Sequence, residues 1–193
     1  MDCYLMENIG DKEHKLVIGR LYIYCPWCAT ELVELVIDGK TRRKCPRCDF
    51  VYYRNPIPAA GAIVEKDGKI LLVKRKYPPY VGDWCLPAGF MEYNESPEQC
   101  CVREIKEETG LTVNLKSSFK TYSGDDDPRS HAVLVLYLAD ITGGDIEPGD
   151  DASEVKFFAM DKLPRNIAFE AHRRAISDYI EFKNSGKFPK PNE

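Results

Sequence analysis

Long apolar runs are missing. The longest, residues 132–139, falls far short of the ~20 residues that span a bilayer as a helix, so no membrane partner is expected. The opening Met1-Asp2-Cys3 has neither the basic nor the apolar region of a secretory signal, and a cytoplasmic location is the expectation. Basic charge is not in excess either: with a formal net charge of −4 there is no global field for nucleic acid, and charge has to be read locally. Histidine is scarce. His14, His131 and His172 cluster with no acid pair, so each reads as surface or core rather than as a ligand. Nothing repeats internally, and no Ser or Cys nucleophile signature is present. What remains is a chain of 193 residues, 44% apolar, long enough for one ordinary packed domain and a small appendage.

Cysteine, by contrast, is plentiful. Four of the eight form two Cys-x-x-Cys pairs, Cys25/Cys28 and Cys45/Cys48, with sixteen residues between them. That is the spacing of two metal-holding knuckles rather than of a disulfide framework. Four thiolates satisfy a tetrahedral Zn²⁺ and leave no position open for water, so the site reads as structural, with redox chemistry or iron as the rivals. Cys3, Cys85, Cys100 and Cys101 lack comparable spacing. Around the pairs, β-prone residues 21–24, 32–37 and 50–53 and an Asp38-Gly39 turn predict a small ribbon of hairpins. Lys40, Arg42, Arg43, Lys44, Arg47 and Arg54 lie beside Phe50, Tyr52 and Tyr53. The mixture admits a nucleotide or nucleic-acid platform, but a solvated ribbon face is favoured.

Arg54-Asn55-Pro56-Ile57-Pro58 reads as a stiff linker, since each proline forbids helix for itself and its predecessor. The expected organisation is an N-terminal segment 1–20, a zinc ribbon 21–55, a main domain 56–182 and a flexible tail 183–193. In the main domain, residues 59–65 and 69–74 predict strands joined by an Asp67-Gly68 turn, and 77–91 predicts a loop anchored by Trp84 and Leu86. A helix over 97–109 follows, with Ser96 as cap, Pro97 in its first turn, Gln99 completing a capping box and Gly110 as stop. Residues 119–122, 132–138 and 155–159 predict strands, and 169–182 a closing helix. Two strand-rich segments with one central and one final helix suggest a helix–sheet–helix sandwich of the α+β class.

The central helix concentrates acids. Glu104 and Glu108 are four residues apart and Glu107 is three from Glu104, so all three can face one point, where their mutual repulsion calls for a hard divalent cation. Mg²⁺ suits them, because it takes oxygen ligands and commonly binds one or two carboxylates together with substrate phosphates. Gly89, Glu95, Arg103, Glu104, Ile105, Glu107, Glu108, Gly110 and Leu111 match every defined position of the pattern G-x5-E-x7-R-E-U-x-E-E-x-G-U, where U is aliphatic. The segment resembles the Nudix box.

The resemblance covers about residues 57–182. It implies the Nudix α/β/α sandwich with a mixed sheet and Mg²⁺-dependent (or Mn²⁺-dependent) hydrolysis of a nucleoside diphosphate linked to another group. It makes Glu104 and Glu108 the principal metal ligands and Glu107 a further ligand or water-positioning group. The Ala88 carbonyl would join them, Glu95 and Arg103 would orient the acids, and no covalent nucleophile is needed. The general base often lies outside the box in this family; Glu154 is the candidate named, with Asp150 and Asp151 in the same acidic loop. Arg75, Tyr80, Phe90 and Arg129 are the expected substrate-binding residues, with Lys74, Lys76 and Tyr122 as further candidates for phosphate and base.

A ribbon ahead of such a domain resembles the NADH pyrophosphatases and the zinc-ribbon FAD or ADP-ribose pyrophosphatases. The former usually carry a run like S-Q-P-W-P-F-P-x-S after the box. Residues 119–130 read FKTYSGDDDPRS here, without that run, so ADP-ribose or a dinucleotide such as FAD is favoured over NADH. The alternatives are a nucleic-acid-binding or nucleotide-sensing regulator, against which the intact acids argue, and a hydrolase of capped or NAD-linked RNA ends. A homodimer is a further expectation carried by the resemblance.

Overall fold

The computed structural model describes residues 22–127, 130–149 and 151–188. The expected segment 1–20, Leu21, Arg129, Asp150 and the tail beyond residue 188 lie outside them.

Three short strands, β1 (Val33–Ile37), β2 (Lys40–Lys44) and β3 (Val51–Tyr52), form an antiparallel sheet in that order. Asp38 and Gly39 turn β1 into β2 with φ of 50° and 72°, the doubly left-handed geometry that matches strand twist and favours Asp-Gly. β2 reads KTRRK, with no apolar residue to announce a strand. It exists because β1 and β3 pair with it on either side. Beneath lies a core of Leu32, Cys25 and Cys45, with Phe50 and Tyr52 packed on it, a size that ordinarily needs a metal or a disulfide to hold.

The main sheet comprises β4 (Ile57–Lys66), β5 (Lys69–Arg75), β6 (Trp84–Cys85), β7 (Ala88–Phe90), β8 (Thr112–Gly124), β9 (Ala132–Gly143) and β10 (Ala152–Ala159). Their order is β10-β5-β4-β9-β8, with β6 on β5 and β7 on β4. β4 and β9 run parallel and the other pairs antiparallel, giving a mixed sheet. β4 is buried on both faces from Ala59 to Val64, as a central parallel strand requires. Ala60, Ala62 and Val64 meet Cys100, Cys101 and Ile105 of α1 (Pro97–Thr109), while Ala59 and Ile63 share a second core with Ala175, Ile176 and Tyr179 of α2 (Glu170–Ser185). The expected helix–sheet–helix sandwich is therefore present.

α1 has the termini its sequence predicts. Ser96 accepts from the Gln99 N–H, Gln99 returns the bond, and Gly110 ends the helix at φ 74°. Other boundaries differ. The 77–91 segment, expected as loop, contains β6 and β7, both too short for a periodic signal; β7 forms because Ala88–Phe90 pairs with the first half of β4. β8 starts at Thr112 rather than 119, and its register shifts between Leu115 and Ser117 and between Ser118 and Lys120 scramble the alternation that would mark it. α2 runs on to Ser185, past the expected 182.

Candidate active site

α1 lies with its acidic flank toward β7, and one arginine organises that flank. Arg103 grips Glu95 through two bonds, Nη2 to Oε1 at 2.6 Å and Nε to Oε2 at 3.0 Å. Its Nη1 donates to Glu104 at 2.7 Å and to Glu107 at 2.9 Å. Planar guanidinium donors fit carboxylates two at a time, so a single side chain fixes three acids. Glu95 also accepts from the Glu92 N–H at 2.7 Å. The Arg103 hydrogen bonds, followed by that one, hold Glu95 down to a pKa of about 2.

Glu104 and Glu108 face a cavity of about 320 Å³, also lined by Arg75, Ala88, Gly89, Glu92 and Asp151. Glu108 accepts from the Ala88 N–H at 3.0 Å. A Cβ on Gly89 would overlap the Glu104 carboxylate, so the missing side chain lets that acid lie flat against β7. Burial, reinforced by the Glu104 charge, pushes Glu108 up to about 8. Burial likewise raises Glu104, against the pull of Arg103. Two partly desolvated carboxyls with too little positive charge between them form a donor set for a hard cation, and the residues present fit Mg²⁺ or Mn²⁺.

The loop after β9 closes the far end of α1. Glu147 N–H donates to the Thr109 carbonyl at 2.9 Å and Gly149 N–H to the Glu108 carbonyl at 3.1 Å, satisfying groups that a helix end leaves free. A Cβ at Gly149 would overlap the Glu107 carbonyl. Docked in this way, the loop delivers Asp151 to the cavity wall.

The expected residues separate. Glu104, Glu108, Ala88, Arg75 and Phe90 come together around the cavity. Glu107 stands beside it, 57% exposed and tied to Arg103. Glu154 is away from it: on β10 it lies opposite Lys74, pairs with that lysine at 3.6 Å, and lines neither this cavity nor its neighbour. Tyr122 is fully buried with its hydroxyl on Asp178; it belongs to the core and offers no face to a base. Tyr80 donates its hydroxyl to the Asp126 carbonyl at 2.9 Å and sets its ring against Phe169, supporting a wall rather than forming it.

A second, mainly apolar cavity of about 100 Å³ shares Arg75, Ala88, Gly89 and Phe90 with the first. Asp126, Phe169 and His172 line it, and none of them belongs to the expected set. They arrive from the β8–β9 turn and the start of α2, where no motif marks them; the one sequence signal is a helix that begins on phenylalanine without a capping residue. His172 is buried, as a core histidine would be. Its Nδ1 accepts from the Leu86 N–H at 3.1 Å, and burial lowers its pKa to about 4, so it is neutral with the proton on Nε2.

In the ribbon, the four Sγ atoms of Cys25, Cys28, Cys45 and Cys48 lie within 4.8 Å of one another. The closest pairs, Cys25–Cys48 and Cys28–Cys45, are both at 3.5 Å. A disulfide is far shorter, about 2.05 Å, whereas a tetrahedron with metal–sulfur bonds of about 2.3 Å has edges of about 3.8 Å. Arg47 and Cys48 N–H groups point at the Cys45 sulfur, each at 3.4 Å, as in a thiolate knuckle. The geometry suits a four-sulfur zinc site.

Residues 55–179 match the model of the NUDIX domain. The chain is 47% identical over 133 residues to an ADP-ribose pyrophosphatase of Methanocaldococcus jannaschii, covering 68% of this chain and 78% of that protein. It is 34% identical over 143 residues to the NAD-capped RNA hydrolase NudC of Chromobacterium violaceum, covering 73% of this chain and 51% of the relative. Among solved structures it resembles a NUDIX hydrolase from Nitrosomonas europaea, with a TM-score of 0.76 and 33% identity over 86% of this chain and 94% of that one. The chain spans only about half the length of the NudC proteins it matches.

Proposed function

The chain belongs to the NUDIX domain family, and from that premise we propose that it is a divalent-cation-dependent pyrophosphohydrolase of ADP-ribose or a related dinucleotide such as FAD. The observation that carries the reading is the Glu104/Glu108 pair, partly desolvated at the wall of an open cavity with Arg75 beside it. The similarity to the archaeal ADP-ribose pyrophosphatase supports this substrate.

Glu104 and Glu108 would hold the cation, with the Ala88 carbonyl as a further ligand and Glu107, beside the cavity, as a further ligand or a water-positioning group. When bound, Mg²⁺ supplies a Lewis acid for the phosphate oxygens and makes water a better nucleophile at neutral pH. Arg103 keeps the carboxylates in one orientation, so little reorganisation is needed as charge develops. Arg75, at the border of the two cavities, faces the diphosphate. Asp151 takes a proton from the attacking water. Water oxygen bonds to phosphorus, the P–O–P bridge breaks, and ADP-ribose yields AMP and ribose 5-phosphate.

In the ribbon, Cys25, Cys28, Cys45 and Cys48 would bind one structural Zn²⁺. The similarity to NudC keeps NAD-linked RNA ends as a second substrate class, though the run characteristic of NADH pyrophosphatases is missing from 119–130. The test is a panel of ADP-ribose, FAD, NADH, NAD, CoA and dinucleoside polyphosphates with Mg²⁺ or Mn²⁺, products separated by chromatography. ADP-ribose or FAD should give the highest kcat/KM. Exclusive turnover of NADH or NAD-capped RNA would overturn the substrate choice.

A further inference from the structure

The apolar cavity beside the carboxylates has a wall held in place against its own backbone preference. Phe169 sits at φ 60°, ψ 131° as the residue before α2, with no side-chain cap of its own. That conformation is disfavoured for any residue with a Cβ and persists only when the surroundings impose it. Three neighbours do so. Asp126, from the turn between β8 and β9, caps the helix from outside, its Oδ2 accepting from the Glu170 N–H at 2.6 Å and from Arg173 at 3.3 Å. Tyr80 bonds the Asp126 carbonyl and sets its ring edgewise to Phe169, 5.1 Å between centroids. The Arg75 guanidinium lies 4.8 Å from the centre of the Phe169 ring, itself anchored by Nε donating to the Pro79 carbonyl at 2.7 Å.

The ring so fixed lines a cavity completed by Phe90, Leu134 and small residues such as Ala59 and Ala171. Its apolar walls and aromatic rings suit a flat heteroaromatic ring, with Arg75, Asp126, Asp127 and His172 completing the lining. Because Arg75, Ala88, Gly89 and Phe90 border both cavities, a ligand occupying the two at once has a flat ring at one end and a diphosphate at the other.

We infer that this cavity is the base subsite: Phe169 is the platform on which the substrate's purine stacks, and Asp126 is a positioning residue that holds the platform by capping α2. The assignment rests on the pyrophosphohydrolase reading for the diphosphate but can be tested without turnover. Base stacking on an aromatic face typically changes affinity by about tenfold or more.

The experiment is calorimetric titration of the full chain with AMP and, separately, with ribose 5-phosphate, alongside ADP-ribose kinetics. AMP should bind at least about tenfold more tightly than ribose 5-phosphate. Phe169→Leu should erase that preference and raise KM for ADP-ribose by more than it lowers kcat. Phe169→Trp should restore AMP binding, with its added fluorescence quenched by AMP and not by ribose 5-phosphate. Asp126→Ala should fall between wild type and Phe169→Leu. Equal binding of the two ligands, no AMP binding, undiminished AMP affinity in Phe169→Leu, or no quenching in Phe169→Trp would each overturn the assignment. AMP binding that depends on Phe169 in a protein inactive on ADP-ribose would instead overturn the reaction and leave the base subsite standing.

Discussion

Glu95 and Arg103 meet in two bonds of 2.6 and 3.0 Å, and the remaining nitrogen of the same guanidinium, Nη1, holds Glu104 and Glu107. A lysine would supply charge without the fork. Arg103→Lys should therefore lower kcat/KM by about 10- to 100-fold, the usual loss when an orienting partner of a metal ligand is removed, with a small change in melting temperature. Steady-state kinetics and thermal unfolding on one preparation check it, and wild-type kcat/KM in the variant would show that the fork does not orient the acids.

Gly89 owes its identity to Glu104. Gly89→Ala would force the carboxylate off the strand, and Mg²⁺ affinity measured by calorimetry should drop by about tenfold or more. Unchanged affinity would mean that the close approach is incidental.

His172 makes stability depend on acid. Its folded pKa, about 4, lies below its ordinary value of 6.5, so as pH falls through 6.5 the unfolded chain takes a proton that the folded one refuses. Stability is unaffected above 6.5, declines between 6.5 and 4, and loses about 3 kcal/mol in all from this residue. Urea unfolding at pH 7.5 and 4.5 should show a smaller drop for His172→Gln than for wild type, by about 2 to 3 kcal/mol. Equal drops would show that the imidazole titrates normally.

The ribbon's small core should depend on metal. One zinc per chain is expected by elemental analysis, and Cys45→Ser or a strong chelator should remove it together with the ribbon's amide protection against hydrogen exchange. Zinc-free protein with an intact ribbon would refute the four-thiolate site.

Local chemistry decided what was legible in the sequence. α1 could be read to the residue because Ser96, Pro97, Gln99 and Gly110 are all local signals, and its acids share one face by helical arithmetic. The cysteine knuckles were equally local. β2 was hidden because a strand supported by partners on both sides needs no apolar residue of its own, and β8 because its bulges break the two-residue period. Asp126, Phe169 and His172 were illegible for a different reason: they converge on one cavity from the β8–β9 turn and the start of α2. Tyr122 misled because an aromatic looks the same in sequence whether it faces a ligand or, as here, Asp178 and the core.

Everything proposed for the reaction depends on the Glu104/Glu108 pair holding the cation that drives diphosphate cleavage. The most direct measurement is hydrolysis of ADP-ribose with Mg²⁺ by wild type and Glu108→Gln, following AMP and ribose 5-phosphate. Wild type should release equimolar products, and the folded variant should lose about a thousandfold or more in kcat, several kcal/mol of charge stabilisation at about 1.4 kcal/mol per decade. Turnover by Glu108→Gln at the wild-type rate would contradict that role for the pair.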